Sequence, residues 1–195
     1  MVPSAQKNDW GRVAKRIRVP LGFLFAIVYL WFARPAWEAL ALGAAIAALG
    51  LWLRAFASGY VKKAQELTTT GPYAYTRNPL YLGSMIIAAG FAVAARSWWL
   101  AAGMAAMFLA IYVPVIRFEE DLLRGLFPHD VDAYFARVPR LLPRLRAEKS
   151  AAGGGAGFSR EGFSLELYLR HREYNAAVGA LVMFAALAAK LVWWR

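Results

Sequence analysis

Ala36-Trp37-Glu38-Ala39-Leu40-Ala41-Leu42-Gly43-Ala44-Ala45-Ile46-Ala47-Ala48-Leu49-Gly50-Leu51-Trp52-Leu53-Arg54-Ala55-Phe56-Ala57-Ser58 is an almost unbroken apolar run of 23 residues. Coiled as a helix at about 1.5 Å per residue, it is long enough to cross a hydrocarbon layer of about 30 Å. Four more runs accompany it: Ile17–Ala33, Leu80–Ala95, Trp98–Ile116 and Ala176–Trp194. The first and third of the five are short, so their ends must lean on basic or aromatic anchors or on a thinned bilayer. The whole chain has 195 residues, 60% of them apolar, and a mean hydropathy of +0.40. Soluble domains carry about 45–50% apolar residues, and a chain of ~150 residues buries only about 70% of its unfolded surface. Lipid must therefore be the solvent for much of the molecule. The predicted fold is all-α, a polytopic transmembrane bundle of about five spans with amphipathic cytoplasmic helices, in one domain over residues 1–195.

The formal charge is +11. Alone it would fit nucleic acid or an anionic membrane, but its placement favours the membrane. Basic residues number 5 up to Arg18 at the start of the first span, 4 from Arg54 near the end of the second to the start of the third, and 10 between the fourth and fifth. The opposite side holds Arg34, Arg96, Lys190 and Arg195, so the positive-inside rule predicts a cytoplasmic N-terminus in a cell (inner) membrane. No basic stripe interleaved with aromatics calls for nucleic acid. A cleaved signal peptide competes for Arg12, Lys15, Arg16 and Arg18, but the apolar stretch after them exceeds the usual 7–15 residues. With no Cys, the chain excludes disulfides, thiolate metal sites and cysteine nucleophiles. His129 and His171 lack metal-ligand spacing, and no metal is expected.

Inside the spans, Gly43, Ala47 and Gly50, and likewise Ala102 and Ala106, have the small-residue spacing that lets helices approach. Packing within the chain is preferred to a dimer interface, and the oligomeric state stays open. Trp31, Trp37, Trp98, Trp99, Trp193 and Trp194 sit near span ends as interfacial anchors. No carboxylate, His or Lys stands mid-span, which removes support for a proton or ion relay.

Chemistry is then left to the cytoplasmic face. After Leu67-Thr68-Thr69-Thr70, the run Gly71-Pro72-Tyr73-Ala74-Tyr75-Thr76-Arg77-Asn78-Pro79-Leu80-Tyr81-Leu82-Gly83 makes a turn and starts the third span at Pro79. The helix N-terminus, with Arg77 beside it, suits a carboxylate or phosphate, or else anchors the span in headgroups. After the fourth span, Arg117-Phe118-Glu119-Glu120-Asp121-Leu122-Leu123-Arg124-Gly125-Leu126-Phe127 reads as a surface helix broken near Pro128. A short helix follows, with Val131, Tyr134, Phe135 and Val138 on one face and Asp130 as cap. The acids either pair along the helix, as Glu120 with Arg124, or bind hydroxyls or a cation.

Together, Leu67-x-Thr69-x-Gly71-Pro72-Tyr73-x-x-x-Arg77-Asn78-Pro79-x-Tyr81-x-Gly83, then Glu119-Glu120-x-x-Leu123-x-x-x-Phe127 and Tyr134-x-x-x-Val138-Pro139-Arg140, resemble the isoprenylcysteine carboxyl methyltransferase and phospholipid methyltransferase superfamily. The resemblance covers residues 60–145. It implies an integral membrane enzyme that uses S-adenosylmethionine at the cytoplasmic helix ends, with membrane lipid around it and a lipophilic small molecule as acceptor. It also implies that Tyr73, Asn78, Pro79, Leu80, Tyr81 and Glu119 bind the cofactor, and Arg77, by its charge beside the helix terminus, and Tyr134, by its ring, complete the expected cofactor-binding set. Arg117 and Glu120 are the expected catalytic residues, the first for an acceptor carboxylate and the second for the proton of an amine or phenol.

The departures are specific. The family's His is Asn78, its Gly after the Phe is Pro128, and the first Tyr of its Tyr-x-x-Tyr pair is Val131. The arginine that the prenylcysteine branch keeps four residues before its first Glu is Val115 here, so carboxylate acceptors are expected to be poor unless Arg117 replaces it across a bend at Pro114. Two alternatives accompany this reading: an NADPH-dependent isoprenoid or sterol reductase, and a non-enzymatic scaffold. Residues 147–164, with Gly153-Gly154-Gly155, read as a flexible connector to the last span at 176–194.

Overall fold

The computed structural model describes residues 9–61, 66–148 and 163–193. Most of the expected connector, and Trp194, lie outside the described residues. Regular structure among them is entirely helical: α1 (Asp9–Phe32), α2 (Trp37–Ser58), α3 (Pro79–Ala95), α4 (Trp98–Leu126), α5 (Val131–Arg137), α6 (Leu165–His171) and α7 (Tyr174–Trp193), with a 3₁₀ turn at Gly71–Ala74. Of these, α2, α4 and α7 are long and apolar enough to cross a membrane, while the Pro20–Phe32 part of α1 and the whole of α3 are shorter apolar helices. The five apolar runs thus appear as five helices. Exposed Phe23, Ile27, Leu49, Trp52, Leu109 and Leu181 give the bundle an outward apolar shell suited to acyl chains.

The tightest pairing is α2 with α3, and glycine makes it possible. A Cβ on Gly43 would collide with the Gly90 carbonyl oxygen, and one on Gly50 would sit 2.6 Å from the Gly83 carbonyl oxygen. The small-residue stripe therefore faces a helix of the same chain, with backbone against backbone. Arg96, at φ 49°, ends α3 in the left-handed conformation, and α4 starts two residues later, so these helices run back to back.

At this end of the bundle, Lys190 Nζ donates to the carbonyls of Leu30, Trp31 and Ala33 at 2.7, 2.8 and 2.9 Å. It caps the open carbonyls that end α1 and ties α7 to it. Next to it, the Tyr29 hydroxyl donates to the Phe91 carbonyl at 2.8 Å, within a core of Tyr29, Leu100, Met104 and Leu187.

Two boundaries differ from the sequence expectation. α1 begins at Asp9, before the apolar run, because a helix continues beyond the hydrocarbon wherever its backbone bonds are already made. The expected separate surface helix at 117–126 is the end of α4, a single helix of 29 residues with Pro114 inside it. The acids there project from a rigid continuation of a membrane helix.

Candidate functional site

The opposite end of the bundle gathers the conspicuous motifs. Gly71 has φ +58°, and a Cβ there would meet the Tyr60 ring at 2.5 Å, so this turn requires glycine twice over. The turn buries Tyr73, whose carbonyl accepts the Tyr134 hydroxyl of α5 at 2.8 Å. Residues 138–148 then run alongside 74–78 and are stitched to them. The Arg77 N–H donates to the Pro139 carbonyl (2.9 Å), the Arg144 N–H to Tyr75 (3.0 Å) and the Glu148 N–H to Ala74 (3.0 Å). Side chains complete the seam: buried Thr76 donates to the Leu141 carbonyl at 3.0 Å, and Asn78 Nδ2 to the Arg140 carbonyl at 2.9 Å. The motif between the second and third spans is thereby held by the segment that follows α5.

At the centre is Glu120, 2% exposed on the last turns of α4. Arg140 clasps it from two nitrogens, Nε at 3.0 Å and Nη2 at 2.8 Å, and Arg77 Nη1 lies 3.4 Å from its other oxygen. The expected Glu120–Arg124 pair is absent from this arrangement because Glu120 faces inward. Arg124 bonds Asp121 at 3.0 Å and Asp132 at 3.2 Å. The Arg77 guanidinium also lies 4.4 Å from the centre of the Phe135 ring, a cation–π contact.

Burial, followed by the like charges of Arg140 and Arg124, pulls the Arg77 pKa below its usual value, while Glu120 opposes the shift. Arg140 moves the other way, raised chiefly by its hydrogen bond to Glu120. Burial pushes the Tyr73 and Tyr134 hydroxyls well above their ordinary value near 10, so neither ionises at neutral pH. One donor of this cluster is left over: among the described residues, the buried Arg77 Nε has no hydrogen-bond partner.

These groups open onto a cavity of about 270 Å³. Tyr73, Arg77, Asn78, Pro79, Leu80, Tyr81, Glu119, Glu120 and Tyr134 all line it, together with Phe135 and the aliphatic Leu122, Leu123 and Leu126. Arg117 does not: it is exposed and outside the cavity lining, while Val115 is fully buried. α4 runs as one helix through Pro114, and Arg117 does not take a place in the cavity lining. Arg140 and Phe135 are the residues that sequence reasoning left without a role, although both stood in or beside the quoted motif. The cavity thus combines a guanidinium with an unused donor, two carboxylates, aromatic rings and an aliphatic wall. Among the described residues, no three His, Asp or Glu side chains gather as metal ligands.

Residues 18–130 match the sequence pattern of the phospholipid methyltransferase family, more than half of the chain. The chain belongs to that family. It is also 40% identical over 110 residues to the nickel-cobalt-cadmium resistance protein NccN of Alcaligenes xylosoxydans xylosoxydans, covering 56% of this chain and 50% of that protein. Over 105 residues it is 35% identical to the cobalt-zinc-cadmium resistance protein CzcN of Cupriavidus metallidurans, covering 53% and 47% respectively. The chain spans about half the length of these relatives. No solved structure matches it.

Proposed function

We propose that the protein is an integral membrane methyltransferase that takes a methyl group from S-adenosylmethionine and places it on a small lipophilic acceptor. The observation that carries this reading is the convergence of both family motifs on one cavity, at the end of the bundle where α4 projects beyond its apolar run. The cofactor's chemistry fits that lining. The buried, unpartnered Arg77 Nε calls for an acceptor such as a carboxylate, Glu119 suits an amino group or ribose, and the Tyr73 and Phe135 rings offer faces to a purine or a sulfonium.

When bound, S-adenosylmethionine supplies a methyl carbon that the acceptor's lone pair takes as the carbon–sulfur bond breaks and its electron pair returns to sulfur. The protein's own part is to align and to exclude water. Arg77 and Glu119 orient from opposite signs of charge, and the leucines of α4 keep the wall dry. Glu120, clasped by Arg140, serves as the counter-charge that fixes Arg77 and not as a proton acceptor. A proton released by an amine, phenol or thiol passes to Glu119 or to water at the cavity mouth.

The site and the N-terminus face the cytoplasm in this proposal. The support is the basic-residue asymmetry, together with the grouping of Arg34, Arg96 and Lys190 at the end opposite the cavity. The test of activity is to incubate membranes from cells with and without the protein with methyl-labelled S-adenosylmethionine, and to extract the lipids. The reading expects protein-dependent label in the organic phase that disappears in Arg77→Met. No protein-dependent label, or label that survives the substitution, contradicts it.

A further inference from the structure

A second, larger chamber, a groove open toward the apolar outside of the bundle, lies among α1, α3, α4 and α7. It measures about 680 Å³, well inside the roughly 300–1,000 Å³ of small-molecule sites. Its wall is almost wholly apolar, with Phe25, Phe91, Met104, Met107 and Met183 prominent, and methionine adapts to flexible chains. Gly22 of α1 and Gly179 of α7 are among its lining residues, and a Cβ at either would meet nothing within 4 Å. The groove is therefore open beside both helices, and Gly179 is itself exposed.

Its polar end is Arg54 of α2, a cation in a membrane helix that must find partners there. Arg54 donates to Glu173 from Nε at 2.9 Å and Nη2 at 2.7 Å, and from Nη1 to the Leu80 carbonyl at 3.2 Å and to Ser84 Oγ. Its charge is thus already balanced by Glu173. Leu80 and Tyr81 line the first cavity, and the Tyr81 ring stands edge-on to Tyr112, centres 5.6 Å apart, while Tyr112 lines the second. Residues 80, 81 and 112 form a shared partition between the two chambers.

Resting on the methyltransferase reading above, we propose that this chamber binds the acceptor's hydrocarbon chain, and that the Arg54–Glu173 pair restricts the acceptor to lipophiles with an uncharged head. A carboxylate placed at the partition would have to share Arg54 with Glu173, and an ammonium would have to share Glu173 with Arg54. With Arg77 and Glu119 taken by the cofactor as proposed above, neither charge finds a further partner at the partition, because Val115 is apolar and Arg117 lies outside both linings. For a long-chain thiol, the step balances as follows. The sulfur lone pair forms the new S–CH₃ bond, the sulfonium carbon–sulfur bond breaks with its electron pair on the departing sulfur, and the thiol proton leaves to water.

The test uses diazirine-bearing sixteen-carbon probes with an alcohol or a carboxylate head, photolysed with the purified full chain in nanodiscs and mapped by peptide mass. Labelling by the alcohol is expected at Met104, Met107 and Met183, at least tenfold above that by the carboxylate. Gly179→Phe and, independently, Gly22→Phe should each reduce it tenfold while S-adenosylmethionine affinity stays unchanged. Glu173→Gln, which leaves Arg54 unbalanced, should raise carboxylate labelling at least fivefold. Methyl transfer to hexadecanethiol should likewise exceed transfer to hexadecanoate. Equal labelling by both heads, labelling indifferent to both glycine substitutions, or a head preference unmoved by Glu173→Gln overturns the proposal. If the cofactor does not bind, the methyltransferase reading fails, and the labelling pattern still decides what the chamber holds.

Discussion

At the scale of single residues, the account turns on charges that are paired and one donor that is not. Glu119 lines the cavity and is assigned to the cofactor, so Glu119→Ala should weaken S-adenosylmethionine binding by about tenfold or more, the worth of a charge-assisted hydrogen bond. Unchanged affinity in a folded variant would remove that role. Arg140→Ala should leave Glu120 buried with only Arg77 beside it. Because the Arg140 side chain is 43% exposed, the cost should be about 1–3 kcal/mol, below the roughly 3–5 kcal/mol of a fully buried pair, readable by thermal unfolding in detergent. The buried tyrosines give a pH dependence with a definite sign. Their folded pKa values are raised above the unfolded value near 10, so their stabilisation is complete below pH 10 and is lost as pH rises beyond it. The melting temperature should fall above pH 10, and less steeply in Tyr134→Phe. Much of this scale was readable beforehand, since Tyr73, Arg77 and Glu119 carry chemistry at motif spacing. Arg140 was not: its partner Glu120 lies 20 residues away, and only the fold of α5 brings them together.

At the scale of elements, the α2–α3 seam fixes where α3 begins and hence where Arg77 and Tyr81 stand. Leucine at Gly90 would drive a side chain into the Gly43 carbonyl and the Ala47 backbone. Overpacking of that kind costs about 1–3 kcal/mol or more, so Gly90→Leu should lower the temperature at which the protein stays monodisperse on size exclusion. Gly125→Leu, where a Cβ meets nothing within 4 Å, is the matched control. Period and length located five apolar helices because hydropathy is written locally in the chain. They misjudged the end of α4 because proline and a run of acids look like a boundary. In the structure, residues 117–126 simply continue the helix, and the acids gain partners from another segment. Arg54 was passed over for a related reason: a lone arginine at the end of an apolar run reads as an anchor until Glu173 is found beside it.

At the scale of the molecule, the two ends of the bundle differ in kind. At one, Lys190 caps the carbonyls that end α1, and the other carries the motif cavity with its charged lining. The chain has no native Cys, so single cysteines report topology cleanly. In intact cells, an impermeant maleimide should label a cysteine at position 34 and leave one at position 132 unlabelled, and the reverse pattern would invert the orientation. The central claim, that the cavity is a site for S-adenosylmethionine, is tested most directly by isothermal titration of the purified, folded chain with S-adenosylmethionine and, separately, with NADPH. The account predicts saturable heat with S-adenosylmethionine and none with NADPH. Saturable binding of NADPH alone, or of neither, would contradict it.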